Sequence, residues 1–277
     1  MKPSYLLLAA GALSAVAAIT VWERAGHPVP QARAVQQTDA VYGELLGKYL
    51  SEGADGVVRV DYAKWSASKG DVDRLKGYVQ GLAALRPSQM RREEAYAYWA
   101  NLYNAITLEV ILDGYPVKSI KDIKSTGTGL FDVKAFFGPW RTKRVTVEGK
   151  ELSLDDIEHT IMRPTFKDPR VHYAVNCASI GCPNLKMTPW SAETLEADLE
   201  AGAKAYVNHP RGVRVNADGS LTVSSIYSWF KEDFGGNDDG VIAHLRKYAG
   251  AELAEKLKGS PRISGHDYDW SLNAPKS

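Results

Sequence analysis

The sequence predicts an α+β fold in which a buried helix packs on an antiparallel sheet. Helical periodicity dominates the first half of the 277 residues, and short alternating segments with turn signals follow in the second. No strand–helix–strand rhythm of the kind that builds a parallel sheet runs through the chain. With no internal repeat or linker, residues 35–277 are expected to form a single domain behind an N-terminal segment at 1–34.

That segment reads as an address. Met1-Lys2 gives a positive start to an apolar run from Tyr5 to Trp22, the pattern of an export signal. Ala15-Val16-Ala17 and Ala32-Arg33-Ala34 both fit a cleavage site, and the second leaves the run intact. An apolar run of roughly 18 residues also reaches the lower limit of a membrane span, so an uncleaved inner-membrane anchor is the alternative. No cysteine precedes Cys177, which excludes a lipoprotein anchor. The expected location is periplasmic or secreted. Composition suits a globular domain, with 44% hydrophobic and 24% charged residues. The net charge of +1 offers no electrostatic footprint for nucleic acid. Basic residues between Lys134 and Arg144 are interrupted by aromatic ones, as in a solvated loop.

Taken in order, Val41, Leu45, Leu46, Tyr49 and Leu50 mark a helix over 35–53, and "GVVRVDYAKW" alternates like a strand. A second helix is expected over 71–85. A third, over 90–113, has Ser88 as its cap and Glu93 and Glu94 in its first turns. Its interior, "YAYWANLYNAITLEVIL", is apolar nearly all round and so belongs inside the protein. "STGTGLFDVKAFFGPW" reads as a long loop lining a site. "KRVTVEGKELSL" and "GVRVNADGSLTVS" read as hairpins, and Ser153 with Asp156 nearly completes a capping box. "RVHYAVN" alternates as a strand. Helices are expected from Ser191 to Val207 and from Ser224 or Ser225 to Gly235-Gly236, then two short helices and a final strand, "YDWSL".

Three clusters carry candidate chemistry. Asn101 and Asn104 share one face of the buried helix, where an unbonded amide is costly. They either tie the helix down through a polar network or line a site. Glu158 and His159, followed by Arg163, end a short helix whose dipole alone accounts for a histidine. The third cluster, "DPRVHYAVNCASIGCPNL", holds both cysteines of the chain. On a regular strand His172 and Cys177 face opposite sides and meet only if the strand breaks near Asn176. Arg170 would share the His172 face. Cys182, beyond a loop of mostly small residues, is placed to reach either neighbour. A Cys177–Cys182 disulfide would stabilise by only about 2 kcal/mol because the loop it closes is short.

The ordered motifs "YWANLYNAITL", "LSLDDIEHTIMR", "DPRVHYAVNCASIGCP", "SWFKEDFGG" and "YDWSLN" resemble the bacterial members of the domain-of-unknown-function 547 (DUF547) family over roughly residues 60–273. The family implies little about activity. Helices before sheet, with a histidine on a strand, are similar to the papain and transglutaminase superfamily, by analogy only. In those enzymes the nucleophilic cysteine starts the buried helix. Here that helix offers Asn101 and Asn104, and both thiols follow the histidine.

The expected function is a thiol-dependent hydrolase or acyl transferase for a peptide-like or amide substrate of the cell envelope. Cys177 or Cys182 is its nucleophile and His172 its base, with Asn104 or Asn101 orienting the histidine or donating to an oxyanion and Glu158 or His159 as the third group. The alternative is a non-catalytic binding or scaffold protein of the cell envelope, stapled by Cys177–Cys182. A metal site of His172, Cys177 and Cys182, with His159 or Glu158, ranks below both because its C-x4-C spacing is looser than a zinc knuckle. No phosphate-binding loop, dinucleotide fingerprint or serine elbow is present, so no cofactor is expected. The only membrane contact expected is through the N-terminal segment.

Overall fold

Apolar side chains at helical spacing bury Tyr42, Leu45, Leu46 and Tyr49 along the first helix, α1 (Pro30–Tyr49). The computed structural model describes residues 30–123 and 138–275, with side chains from Thr38 onward. The N-terminal apolar run and most of the glycine-rich passage lie outside the described residues. After α1, β1 (Leu50–Glu52) pairs antiparallel with β2 (Val58–Val60). Two helices follow, α2 (Tyr62–Ala67) and α3 (Lys69–Ala83).

The central helix is α4 (Arg92–Gly114), buried at every position from Tyr96 to Leu108. Its cap is Arg91 rather than Ser88. The Arg91 amide donates to the Glu94 carboxylate at 3.0 Å, and Ser88 bonds Glu148 instead. The chain mixes helices with small sheets, as an α+β fold should, but among the described residues the elements that contact this helix most are helical. A helix that is apolar all round needs cover on every side, and one sheet face supplies cover on only one. Packed against it are α2, α3 and the segment 156–162.

Among the described residues the strands form three small sheets. In the second, β3 (Val145–Val147) turns into β4 (Lys150–Leu152) through Glu148 and Gly149, at φ 48° and 77°. That is the twist a two-residue hairpin requires. The capping box at Ser153 forms as expected: the Ser153 amide donates to Asp156 at 2.7 Å, and the Asp156 amide donates to Ser153 Oγ at 3.2 Å. What it caps is a wide π-helical turn, Asp156–Met162, running into α5 (Arg163–Phe166).

Residues 170–176 are not a strand. Val171–Ala174 form one helical turn, α6, and the chain becomes extended only at Val175. The cause is Asp168-Pro169, a turn opener. The Asp168 carboxylate accepts the Arg170 amide at 2.9 Å, and the carbonyls of Asp168 and Pro169 accept the amides of Val171 and His172. Arg170 pairs with Asp168 and Glu196 and shares no face with His172.

The third sheet joins β5 (Val213–Val215), β6 (Leu221–Ser224) and β7 (Ile263–Asp267), with β6 and β7 parallel. Between them lie α8 (Ile226–Trp229), a tight turn ending at left-handed Gly235, α9 (Asp238–Tyr248) and α10 (Ala251–Lys256). Before them runs α7 (Leu195–Val207). The expected last strand at 268–272 lies a few residues too late, because the backbone there bonds to the cysteine loop rather than to the sheet.

One apolar cluster surrounds α4 and takes in Val171, Ala174 and Val175. A second gathers Ala203, Val207, Val223 and Leu245, and takes in Tyr173. The α6 turn thus sits at the seam between the clusters. Among the described residues no helix is long and apolar enough to cross a membrane.

Candidate active site

Asn101 and Asn104 act as backbone surrogates. A helix spends its own amides and carbonyls internally, so side-chain amides must hold whatever packs beside it. Asn101 donates to the Trp190 carbonyl at 2.9 Å and accepts the Trp190 amide at 2.8 Å. Asn104 donates to the Ala174 carbonyl at 2.9 Å and accepts the Asn176 amide at 2.8 Å. Asn176 continues the relay, accepting the Ala178 amide at 2.8 Å and donating to the Pro183 carbonyl at 2.7 Å. Both helix asparagines are therefore positioning residues. Neither bonds His172 or a thiol.

The loop they hold brings the two thiols together. Cys177 Sγ lies 2.7 Å from Cys182 Sγ, unbonded, and the Cys177 amide donates to Cys182 Sγ at 3.0 Å. Left-handed Ala178, at φ 57°, folds the chain back between them. The stretch Tyr268–Asn273 runs alongside as a strap. Its Asp269, Ser271 and Leu272 meet Gly181, Ile180 and Ser179. A Cβ at Gly181 would come within 2.8 Å of the Asp269 backbone nitrogen, so only glycine permits this approach.

Cys177 is half-buried, and Cys182 is buried. Ser179 Oγ lies 3.3 Å from Cys177 Sγ, and the Tyr268 hydroxyl lies 2.9 Å from the same sulfur. Burial opposes a thiolate at Cys177, but the Cys182, Ser179 and Tyr268 donors outweigh it and lower its pKa. Burial, and then the neighbouring Cys177 sulfur, push the Cys182 thiol well up.

His172 is committed elsewhere. Its Nε2 lies 2.7 Å from Asp233 Oδ2, and its Nδ1 lies 3.6 Å from Glu158 Oε1. Burial favours the neutral ring, yet the two carboxylates raise its pKa above the ordinary 6.5. Burial also opposes the Glu158 charge, but His172, His159 and Tyr103 together hold its carboxyl below the usual range. Asp233, desolvated but bonded by His172 and by Arg163 Nε at 2.6 Å, stays well below it. Phe230 stacks on the imidazole at 4.3 Å. His172 is thus buried between two acids that favour its charged form, and the expected bond from His172 to Cys177 is replaced by contacts from the cysteine loop and the strap.

His172, Glu158, His159, Cys177 and Cys182 nevertheless open onto one cavity of about 250 Å³. Tyr268 and Trp270 at 4.7 Å, Trp229 at 4.8 Å from Tyr268, and Trp140 at 5.7 Å from Trp270 form its aromatic wall. Trp229 is 48% exposed, so the wall continues to the surface. Among the described residues no group of three or more His, Cys, Asp or Glu side chains is arranged to hold a metal ion. Reading residues in isolation missed Asp233 and Tyr268, although both lie in the quoted motifs "SWFKEDFGG" and "YDWSLN".

The fold and the site define an α+β domain with paired thiols at an aromatic cavity. Residues 87–207 match the model of the family described as "Protein of unknown function, DUF547". The match spans Asn101, Asn104, Glu158, His172, Cys177 and Cys182, while Asp233 and Tyr268 lie beyond it. No curated protein and no solved structure matches the chain. The histidine on a strand that carried the likeness to papain is absent, since His172 stands on a helical turn.

Proposed function

We propose that this protein is a thiol-dependent hydrolase or acyl transferase, with Cys177 as its nucleophile toward the carbonyl carbon of a peptide-like or amide substrate. The observation that supports it is a half-buried sulfur at an aromatic cavity, held by three donors that favour its thiolate. The Cys177 thiolate attacks the carbonyl carbon with the Tyr268 and Ser179 hydroxyls as donors to the developing oxyanion, and the C–N bond then breaks as the amine leaves with a proton from water, giving a Cys177 thioester. Water or an acceptor amine then releases the acyl group. His172, held between Asp233 and Glu158, orders the cavity wall rather than serving as the base.

The test is the pH dependence of Cys177 alkylation by iodoacetamide in a Cys182→Ser background, which keeps a donor beside the sulfur. The rate should plateau below about pH 8.5, the ordinary thiol value. Tyr268→Phe should move the midpoint upward, because it removes one donor. A Cys177 that titrates at or above the ordinary value, or fails to form an acyl adduct with thioester probes, would refute the proposal. The apolar leader supports action outside the cytoplasm. Fusion of residues 1–40 to a reporter active only after export should give a signal, and a silent reporter would refute this location.

A further inference from the structure

An acyl nucleophile has no use for a second thiol in contact with the first, yet the fold holds Cys182 Sγ 2.7 Å from Cys177 Sγ. The geometry points to thiol–disulfide exchange as a further activity of this cavity, with Cys177 attacking a substrate disulfide and Cys182 resolving the product. The inference shares its nucleophile with the function proposed above but requires a sulfur electrophile instead of a carbonyl.

The two thiols are unequal in the way exchange requires. Both thiols line the cavity, but Cys177 is half-buried whereas Cys182 is only 4% exposed. An incoming disulfide therefore meets Cys177 first. The Cys177 thiolate bonds to one sulfur of RS–SR′, the S–S bond breaks, and R′S⁻ leaves with the electron pair and takes a proton from water. Cys182 then loses its proton and attacks Cys177 Sγ. A Cys177–Cys182 bond forms, the mixed disulfide breaks, and RS⁻ leaves. The dithiol is oxidised and the substrate disulfide is reduced, with two electrons passing between them.

The second step is prepared by the first. Besides burial, the Cys182 thiol is held protonated by its bond to the Cys177 sulfur and by that sulfur's charge. Both influences vanish once Cys177 is neutral in a mixed disulfide, so Cys182 becomes a better nucleophile just when it must act. The loop is built for the same task. Ala178 in the left-handed region and the strap contact at Gly181 keep Cys182 against Cys177.

The test uses the reduced full chain and glutathione disulfide, followed by intact mass. Wild type should release both glutathiones as free thiol and finish lighter by its two thiol hydrogens, with Cys177 and Cys182 joined. Cys182→Ser and Cys182→Ala should stop at a stable glutathione adduct on Cys177. Cys177→Ser should react at least about tenfold more slowly. Wild type that retains glutathione, or Cys182 variants that release it as wild type does, would overturn exchange. Iodoacetamide labelling and acyl adducts on Cys177 in Cys182→Ser would then still support the acyl reading. A Cys177 inert to all of these reagents would overturn both.

Discussion

Replacing His172 with leucine should cost about 3–5 kcal/mol, because it leaves two carboxylates facing a buried site without their shared cation. Glu158 is buried and loses the bond that offsets its desolvation. Asp233 keeps Arg163, so Glu158→Gln in the His172→Leu background should recover part of the loss. Linkage sets the pH dependence. The His172 pKa is raised on folding, so its contribution is complete below the ordinary 6.5 and is lost as pH rises through the folded value. The Glu158 and Asp233 values are lowered, so their contributions are present above the ordinary 4.5 and 3.8 and are lost as pH falls. The cluster therefore stabilises most between those limits. Urea midpoints should fall from about pH 5.5 to pH 9 in the wild type, and this alkaline slope should flatten in His172→Leu. A variant as stable as wild type at the lower pH, or a wild-type midpoint that does not move, would refute the buried imidazolium.

The second large effect belongs to Asn104. Leucine there fills the space but strands the Ala174 carbonyl and the Asn176 amide, both buried, at about 1–3 kcal/mol each. The expected loss is roughly 2–5 kcal/mol. Asn104 anchors the start of the cysteine loop, so Cys177 alkylation should also slow and shift toward the ordinary thiol range. Asn101→Leu strands the Trp190 amide and carbonyl instead. It should destabilise comparably and leave Cys177 reactivity unchanged. Equal effects of both variants on the thiol would mean that the asparagines do not position the loop separately. Unchanged melting of both would refute the polar network.

The sequence alone determined what local chemistry determines. Tyr96–Leu112 is apolar all round and proved to be the buried helix. Glu148-Gly149 and Asp218-Gly219 carry the turn residues of their hairpins, and both hairpins formed. Asn101 and Asn104, polar on an apolar helix, required partners and have them. The proximity of the thiols was also legible, since a short loop of small residues joins them. Alternation misled at 170–176, where Asp168-Pro169 opens a helical turn that period-two hydrophobicity cannot reveal. The tertiary structure alone decided what His172 and Cys177 touch. Asp233 lies 61 residues beyond His172 and Tyr268 lies 91 beyond Cys177. A side chain's protonation depends on the charges and donors packed around it, and these arrive from segments whose separation in sequence carries no distance information. The pairing of an imidazole with two acids, and of a thiol with a second thiol and a tyrosine, exists only once α6 is seated between the two clusters and the strap closes over the loop.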